Sequence, residues 1–292
     1  MIVRPSAGLD AHFLQRVLSS PSVVSSIEDS SVGSTMINLN QSTLSGLAIQ
    51  TPPLSEQRAI ATALSDVDTL LAKLDLALAK KRDLKQAAMQ QLLTGQTRLP
   101  GFGGEWEVKR FGEIATPRKD RIDPRRTGVQ EFCVELEHIE QGSGRLLGSG
   151  STGEESSLKS MFQPGDVLFG KLRAYLRKFW LADRAGVCST EIWALVANQK
   201  MVLPAFLFQL VTVNQFIEVA STAYGTHMPR SDWSVVKNYE LALPQVSEQT
   251  AIATILSDMD AELAALEARR DKTRTLKQGM MQELLTGKTR LV

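Results

Sequence analysis

The chain has 292 residues, of which 43% are hydrophobic, and this is enough material for about two domains. Basic and acidic side chains nearly balance, 33 against 32, so only local clusters of charge can point to a nucleic-acid partner. No run of about 18 apolar residues, no signal-peptide pattern and no CxxC pair is present, which excludes a membrane span and predicts a cytoplasmic protein with reduced thiols and no metal site.

The first strongly patterned element is a long helix over residues 55–97. We predict Ser55 as its N-cap and Gly95 as its C-terminal stop. Apolar side chains recur at alternating spacings of four and three, the heptad pattern of a helix that packs along another helix. The predicted seam consists of Ile60, Leu64, Val67, Leu71 and Leu74. Lys81 and Lys85 then occupy seam positions and the apolar stripe resumes at Leu84, which predicts a stutter.

The pattern changes over residues 98–246. Short apolar segments at 166–169 and 192–196 are rich in strand-forming residues and are bounded by turn residues. Residues 141–152 have the composition of a loop, and 203–219 that of a helix. This part of the chain is therefore predicted to be an α+β domain.

Positive charge is clustered within this domain. Basic side chains with aromatic neighbours suit DNA, because Lys and Arg bind phosphates and Arg also binds guanine edges in a bidentate manner. The alternative is an ordinary solvated face. The candidate base or backbone contacts are Lys171, Arg173, Tyr175, Arg177, Lys178, Thr226, His227 and Arg230. Weaker candidates for phosphate contacts are Arg118, Lys119 and Arg121.

A second long helix is predicted over residues 247–292. Residues 247–291 match residues 55–99 at 28 of 45 positions under a shift of 192 residues. The equivalent seam consists of Ile252, Leu256, Met259, Leu263 and Leu266. Since the two helices flank a domain whose ends are expected to lie close together, they are predicted to run antiparallel, as a coiled-coil spacer with pseudo-two-fold symmetry.

The first segment, residues 1–54, corresponds under the same shift only to about residues 193–246. We therefore expect it to be the C-terminal part of a first, incomplete domain. Self-association or a second chain could complete that domain.

Several motifs resemble the specificity subunit of type I restriction–modification systems. In the second half of the chain they are Pro-Gln-Val-Ser-Glu-Gln at 244–249 and Leu-Leu-Thr-Gly-Lys at 284–288. Within the α+β domain, the segments 106–114, 165–178, 188–191 and 225–228 also match. The resemblance covers nearly the whole chain, and the order of the motifs makes it specific.

The resemblance implies a division of labour. Each target-recognition domain of such a subunit reads one half of a split site in double-stranded DNA, and the helices set the distance between the halves. Two methyltransferase subunits, which bring S-adenosylmethionine, dock on the helices, and a translocase–nuclease subunit joins for restriction. The chain itself is expected to be non-catalytic and to bind no cofactor.

Two catalytic alternatives have little support in the sequence. A methyltransferase needs an Asn/Asp-Pro-Pro-aromatic motif, which is missing. A nuclease needs clustered carboxylates with a lysine, and although Asp166 and Lys171 are close in sequence, no Glu-x-Lys follows them. A third alternative stays open: a scaffold that binds methyltransferase subunits without reading a complete DNA site.

Overall fold

The computed structural model describes residues 3–29, 44–153, 157–222 and 228–291. The chain divides into two compact units. The first unit consists of Met1–Arg82 and Ala261–Val292, and the second of Asp83–Asp260. Each of the two long helices contributes a segment to both units. The predicted division into residues 1–54, 55–97, 98–246 and 247–292 stays a prediction.

The first unit is helical in the part that the structure describes. It contains α1 (Ala11–Leu18), α2 (Pro21–Asp29) and segments of the long helices α3 (Leu54–Leu92) and α9 (Val246–Leu284). Asp10 caps α1, because its carboxylate accepts hydrogen bonds from the backbone N–H groups of His12 and Phe13, both at 3.0 Å. The buried side chains of its core are Phe13, Val17, Ile60, Ala61, Leu64, Met281, Leu284 and Leu285.

The ten predicted seam residues are all buried or partly buried. Ile60, Leu64, Leu74, Ile252 and Leu256 are buried, and Val67, Leu71, Met259, Leu263 and Leu266 are partly buried. Within the first unit, Lys277 bonds Asp68 and Arg270 lies near Asp75, so the partner number falls as the residue number rises. This order confirms that the two helices are antiparallel.

The predicted stutter is wrong. Leu84 and Leu276, where the apolar stripe was expected to resume, are 49% and 59% exposed. The heptad continues instead through the polar positions, since Lys81 forms an ion pair with Glu262 and Thr273 is buried. An uninterrupted seam is tolerated because each cation in it has an acidic partner on the opposite helix.

The predicted starts of the long helices are one residue late. α3 begins at Leu54, and the backbone N–H groups of Glu56 and Gln57 donate to the Pro53 carbonyl, so Ser55 lies inside the first turn. The predicted stop at Gly95 is confirmed, because its φ of 72° is the left-handed conformation that glycine adopts without strain.

The second unit is α+β, which confirms the predicted class. Its strands are β1 (Glu107–Arg110), β2 (Ala115–Pro117), β3 (Arg121–Ile122), β4 (Cys133–Val134), β5 (Lys159–Phe162), β6 (Val167–Gly170), β7 (Phe179–Leu181), β8 (Gly186–Ser189), β9 (Ile192–Ala197) and β10 (Glu240–Leu243). One four-stranded sheet has the order β2–β9–β6–β7, another the order β3–β5–β8–β4, and β1 pairs with β10. The predicted strands at 166–169 and 192–196 are β6 and β9.

Short helices connect these strands. They are α4 (Phe111–Ile114), α5 (Pro124–Thr127), α6 (Pro204–Thr212), α7 (Asn214–Ala220) and α8 (Trp233–Val236). The single helix predicted over 203–219 is broken at Val213, whose ψ of 149° is extended. α6 packs on the sheet through buried side chains such as Phe206 and Leu210.

The two units share a local motif. In the first, the Gln57 side chain accepts from the Asp10 N–H at 2.7 Å and donates to the Gly8 carbonyl at 3.0 Å. In the second, the Gln249 side chain accepts from the Leu203 N–H at 2.9 Å and donates to the Met201 carbonyl at 2.7 Å. Each glutamine therefore holds the start of a short helix, α1 or α6, so the repeat extends beyond the long helices.

None of the helices that the structure describes has the length and apolar character needed to cross a lipid bilayer.

Candidate nucleic-acid interface

The predicted site centres on the loop between β6 and β7, residues 171–178, called here the β6–β7 loop. A short 3-10 turn, Ala174–Leu176, lies between two arginines with positive φ, Arg173 at 53° and Arg177 at 50°. Left-handed backbone at a residue with a side chain costs about 1–2 kcal/mol and persists only where surrounding contacts enforce it. Ala174, which is buried, anchors the turn.

The β6–β7 loop is held against residues 229–231. The Arg173 N–H donates to the Pro229 carbonyl at 2.8 Å, and the Ser231 N–H donates to the Lys171 carbonyl at 2.8 Å. The Ser231 hydroxyl, which is buried, donates to the Ala220 carbonyl at 2.6 Å. The structure therefore brings together two segments that the sequence predicted as one site, although they are about 55 residues apart.

Two side chains of this loop project into solvent. Arg173 is exposed and Tyr175 is 52% exposed, while Lys171 is half-buried. Among the described residues, none of these three side chains has a hydrogen bond or ion pair to another side chain. They are available to an external ligand, and their role as DNA contacts stays a prediction.

Arg177 and Lys178 instead hold the fold together. The Arg177 guanidinium donates to the Thr212 carbonyl at 3.1 Å and to the Asn214 side chain, on either side of the break between α6 and α7. The Lys178 ammonium donates to the Ile139 carbonyl at 2.7 Å. Their charges are therefore engaged inside the protein.

Arg230 lies beside the loop, paired with an acid. Its guanidinium donates to both oxygens of Glu191 at 2.9–3.1 Å, and these hydrogen bonds raise the pKa of Arg230. Glu191 is a residue whose role the sequence did not predict, although it lies in a motif that carries the resemblance. Thr226 and His227 lie outside the described residues.

Arg118, one of the weaker candidates, lies at the other end of β6. Arg118 donates to both carboxylate oxygens of Asp166 at 2.8 and 3.0 Å, and this buried partner raises the pKa of Arg118. Asp166 precedes β6 and Lys171 follows it, so about 16 Å of strand separates them. The structure thus does not bring Arg118 to the β6–β7 loop, and its guanidinium is already occupied. Lys119 and Arg121 are exposed.

The same separation bears on the nuclease alternative. Asp166 and Lys171 lie at opposite ends of β6, and the Asp166 carboxylate forms an ion pair with Arg118. In the described part of the chain, no three His, Cys, Asp or Glu side chains are grouped so that they could hold a metal ion.

The fold and sequence are similar to those of known proteins. The chain is 25% identical over 284 residues to the type I restriction enzyme EcoDI specificity subunit of Escherichia coli, covering 84% of this chain and 62% of that protein. It is 22% identical over 286 residues to the MjaVIII specificity subunit of Methanocaldococcus jannaschii, covering 89% and 66%. The chain thus spans slightly less than two thirds of the length of these relatives.

A solved structure shows the same fold. The S subunit of a type I restriction-modification system from M. genitalium matches with a TM-score of 0.61 and 17% identity, covering 95% of this chain and 73% of that one. The family model described as type I restriction modification DNA specificity domain matches residues 4–79 and 104–273, well over half of the sequence. The chain therefore belongs to the type I restriction modification DNA specificity domain family.

Proposed function

We propose that this chain is the DNA-recognition subunit of a type I restriction–modification assembly and reads one half of a split site. The observation that carries the proposal is the β6–β7 loop, which presents Arg173 and Tyr175 to solvent on a strained but firmly held backbone. A preorganised loop loses little entropy on binding, so its side chains can discriminate between base edges.

The two exposed side chains supply different chemistry. The Arg173 guanidinium can form a bidentate pair with a guanine or bind phosphate, while the Tyr175 ring can pack on a sugar or a thymine methyl group. Arg230 is the third contact in this proposal, with Glu191 holding its guanidinium in one orientation. Among the described residues, the proposed DNA contacts at this loop are therefore Lys171, Arg173, Tyr175 and Arg230.

Catalysis belongs to partner subunits in this proposal. Methyltransferase subunits, which bring S-adenosylmethionine, dock on the long helices, and restriction subunits join the assembly. The outward faces of these helices support docking, because they carry large exposed leucines: Leu70, Leu76, Leu84 and Leu276. The chain itself binds no cofactor and performs no chemistry.

Replacement of Arg173 by Ala tests the reading role. We expect sequence-selective binding to fall at least about tenfold, since one bidentate base contact contributes about 1–3 kcal/mol of discrimination. The measurement is a competition gel shift on the assembled methyltransferase complex, with its cognate site against scrambled DNA. Binding to the scrambled DNA should change much less.

Lys200→Ala is the charge-matched control. Lys200 is exposed and lies beyond the end of β9 that is remote from the β6–β7 loop. Equal loss of selectivity in both variants would mean that only net charge matters, and unchanged selectivity in Arg173→Ala would refute the proposed contact.

A scaffold that binds methyltransferase subunits without reading a complete site is the second candidate. It is favoured by one observation: among the described residues of the first unit there is no strand and no equivalent of the β6–β7 loop. Assembly with the methyltransferase subunit that yields no methylated motif in genomic DNA would favour the scaffold.

A further inference from the structure

Each unit contains a pocket built from equivalent residues of the repeat. In the first unit it is lined by Glu56, Arg290 and Gly287, among others, and is called here the Glu56 pocket. Its volume is about 140 Å³. The remaining lining residues are Gln50, Thr51, Pro52, Leu284 and Leu285.

In the second unit a tryptophan fills the equivalent pocket. The Trp106 Nε1–H donates to Glu248 Oε2 at 3.2 Å, and the Arg98 guanidinium lies 5.5 Å from the ring centroid. A Cβ on Gly95 would lie 3.3 Å from the indole, which is a tight contact, and the positive φ of Gly95 also favours glycine there. Arg98 also grips Glu248 in a bidentate pair at 2.6 and 2.7 Å.

The Glu56 pocket has the same binding groups in the same arrangement. Arg290 grips Glu56 in a bidentate pair at 2.7 and 2.6 Å, and the Leu291 N–H donates to the same carboxylate at 3.1 Å. Under the 192-residue shift, Glu56, Gly287 and Arg290 correspond to Glu248, Gly95 and Arg98, and Pro52 corresponds to Pro244. The acceptor, the cation and the glycine that hold Trp106 are therefore all present.

Two lining positions differ between the two pockets. Thr51 corresponds to Leu243, and Gln50 corresponds to Ala242. The Gln50 Oε1 atom lies 3.0 Å from where a Cβ on Gly287 would be. The Gln50 side chain thus lies over Gly287, in the position that the Trp106 indole has over Gly95 in the second unit. Because Gln50 is exposed, it can swing away without leaving a buried cavity.

The backbone next to the pocket also lacks a partner among the described residues. In the second unit, Glu107–Arg110 follows Trp106 and pairs with Glu240–Leu243. The equivalents of Glu240–Leu243 are residues 48–51, which lie outside any helix or strand and pair with no other described backbone. An open edge beside the pocket can accept an added strand.

We propose that the Glu56 pocket, with the edge of residues 48–51, binds a tryptophan-bearing segment of a separate polypeptide. The indole would donate to Glu56 and lie under Arg290, and the residues after the tryptophan would pair with 48–51, as 107–110 pair with β10. A second copy of this chain is a poorer source, because its own Trp106 is already held by Glu248. The proposal rests on the internal repeat and is independent of DNA recognition.

Binding of a fluorescein-labelled peptide with the sequence of residues 101–114 to the whole chain tests this proposal by anisotropy. Changing the peptide tryptophan to Ala should weaken binding about thirtyfold, as expected for a central tryptophan anchor. In the protein, Glu56→Gln should weaken it about tenfold, because the charged acceptor is lost. Gln50→Ala should tighten binding at least about threefold, since it creates the second-unit residue.

Asp66→Asn, which alters an exposed carboxylate on the same helix, is the control and should leave binding unchanged. Thermal melts establish that the variants are folded, and the gain expected from Gln50→Ala cannot result from unfolding. The proposal would be overturned if the peptide bound equally well with Ala in place of its tryptophan, or if Gln50→Ala left the affinity unchanged. Concentration-dependent dimerisation that Gln50→Ala strengthens and the peptide reverses would assign the pocket to a second copy and overturn the choice of a separate chain.

Discussion

The arginines of the second unit differ in what their guanidinium groups contact. Arg118 and Arg177 donate hydrogen bonds to other groups of the protein. Arg230 forms an ion pair with Glu191 at the surface, and Arg173 is exposed to solvent. The sequence offered three of them as candidate base or backbone contacts and Arg118 as a weaker candidate, and it did not show which guanidinium groups are bound. The partners of Arg118, Arg177 and Arg230 lie 35 to 48 residues away in sequence, which local pattern cannot identify.

The Arg118–Asp166 pair leads to a stability prediction. Asp166 is 3% exposed, so removing its partner leaves an uncompensated charge in the interior. Arg118→Ala should lower the free energy of unfolding by about 3 kcal/mol, the usual order for breaking a buried pair on one side. Urea denaturation followed by tryptophan fluorescence measures this loss.

Two further variants separate charge from packing in that experiment. Lys119→Ala changes an exposed neighbour and should alter stability by less than about 0.5 kcal/mol. Asp166→Asn added to Arg118→Ala should recover part of the loss, since it removes the stranded charge. If Arg118→Ala proved as stable as Lys119→Ala, the pair would not be structural and Arg118 would return as a candidate phosphate contact.

The long helices show how polar groups can occupy a heptad seam. Lys85 pairs with Asp260, and Lys277 with Asp68 at 2.6 Å, and these two pairs are equivalent under the 192-residue shift. In the sequence of a single helix, seam lysines look like a break in the heptad pattern, because their acidic partners lie on the other helix. The acids lie opposite the lysines only in the antiparallel arrangement.

Asp68 should give the first unit a measurable acid sensitivity. Burial raises the pKa of its carboxyl, but hydrogen bonds from Lys277 and Arg16 outweigh this, and the net pKa is lowered. A lowered carboxyl pKa stabilises the fold fully above the unfolded-state value of about 3.9, and this stabilisation is lost as the pH falls through the folded-state pKa.

Asp68→Asn should therefore reduce Tm at neutral pH and flatten the decline of Tm between about pH 5 and pH 3. Scanning calorimetry at several pH values provides the comparison, with Asp66→Asn as an exposed control on the same helix. Parallel pH profiles for Asp68→Asn and the parent chain would show that the ion pair contributes no pH-dependent stability.

At the scale of the whole molecule, the repeat allowed both long helices to be predicted. The offset of 192 residues also relates Gln57 to Gln249, whose side chains hold the starts of two short helices in the same way. The order of the strands in the sheets was not predicted. The geometry of the β6–β7 loop was not predictable. Positive φ at two arginines has no sequence signature, because only tertiary contacts such as Arg173 to Pro229 enforce it.

The proposed function places sequence reading at the β6–β7 loop of the second unit, and this predicts the footprint on DNA. With the chain monomeric, as verified by light scattering, hydroxyl-radical footprinting of the complex with methyltransferase should reveal a single contiguous block of protected, sequence-specific positions. Arg173→Ala should erase that block and leave a sequence-independent background, because phosphate contacts carry no sequence information. Two specific blocks with a fixed gap from the monomeric chain would show that the first unit also reads DNA. Protection without any preferred sequence would instead identify the scaffold.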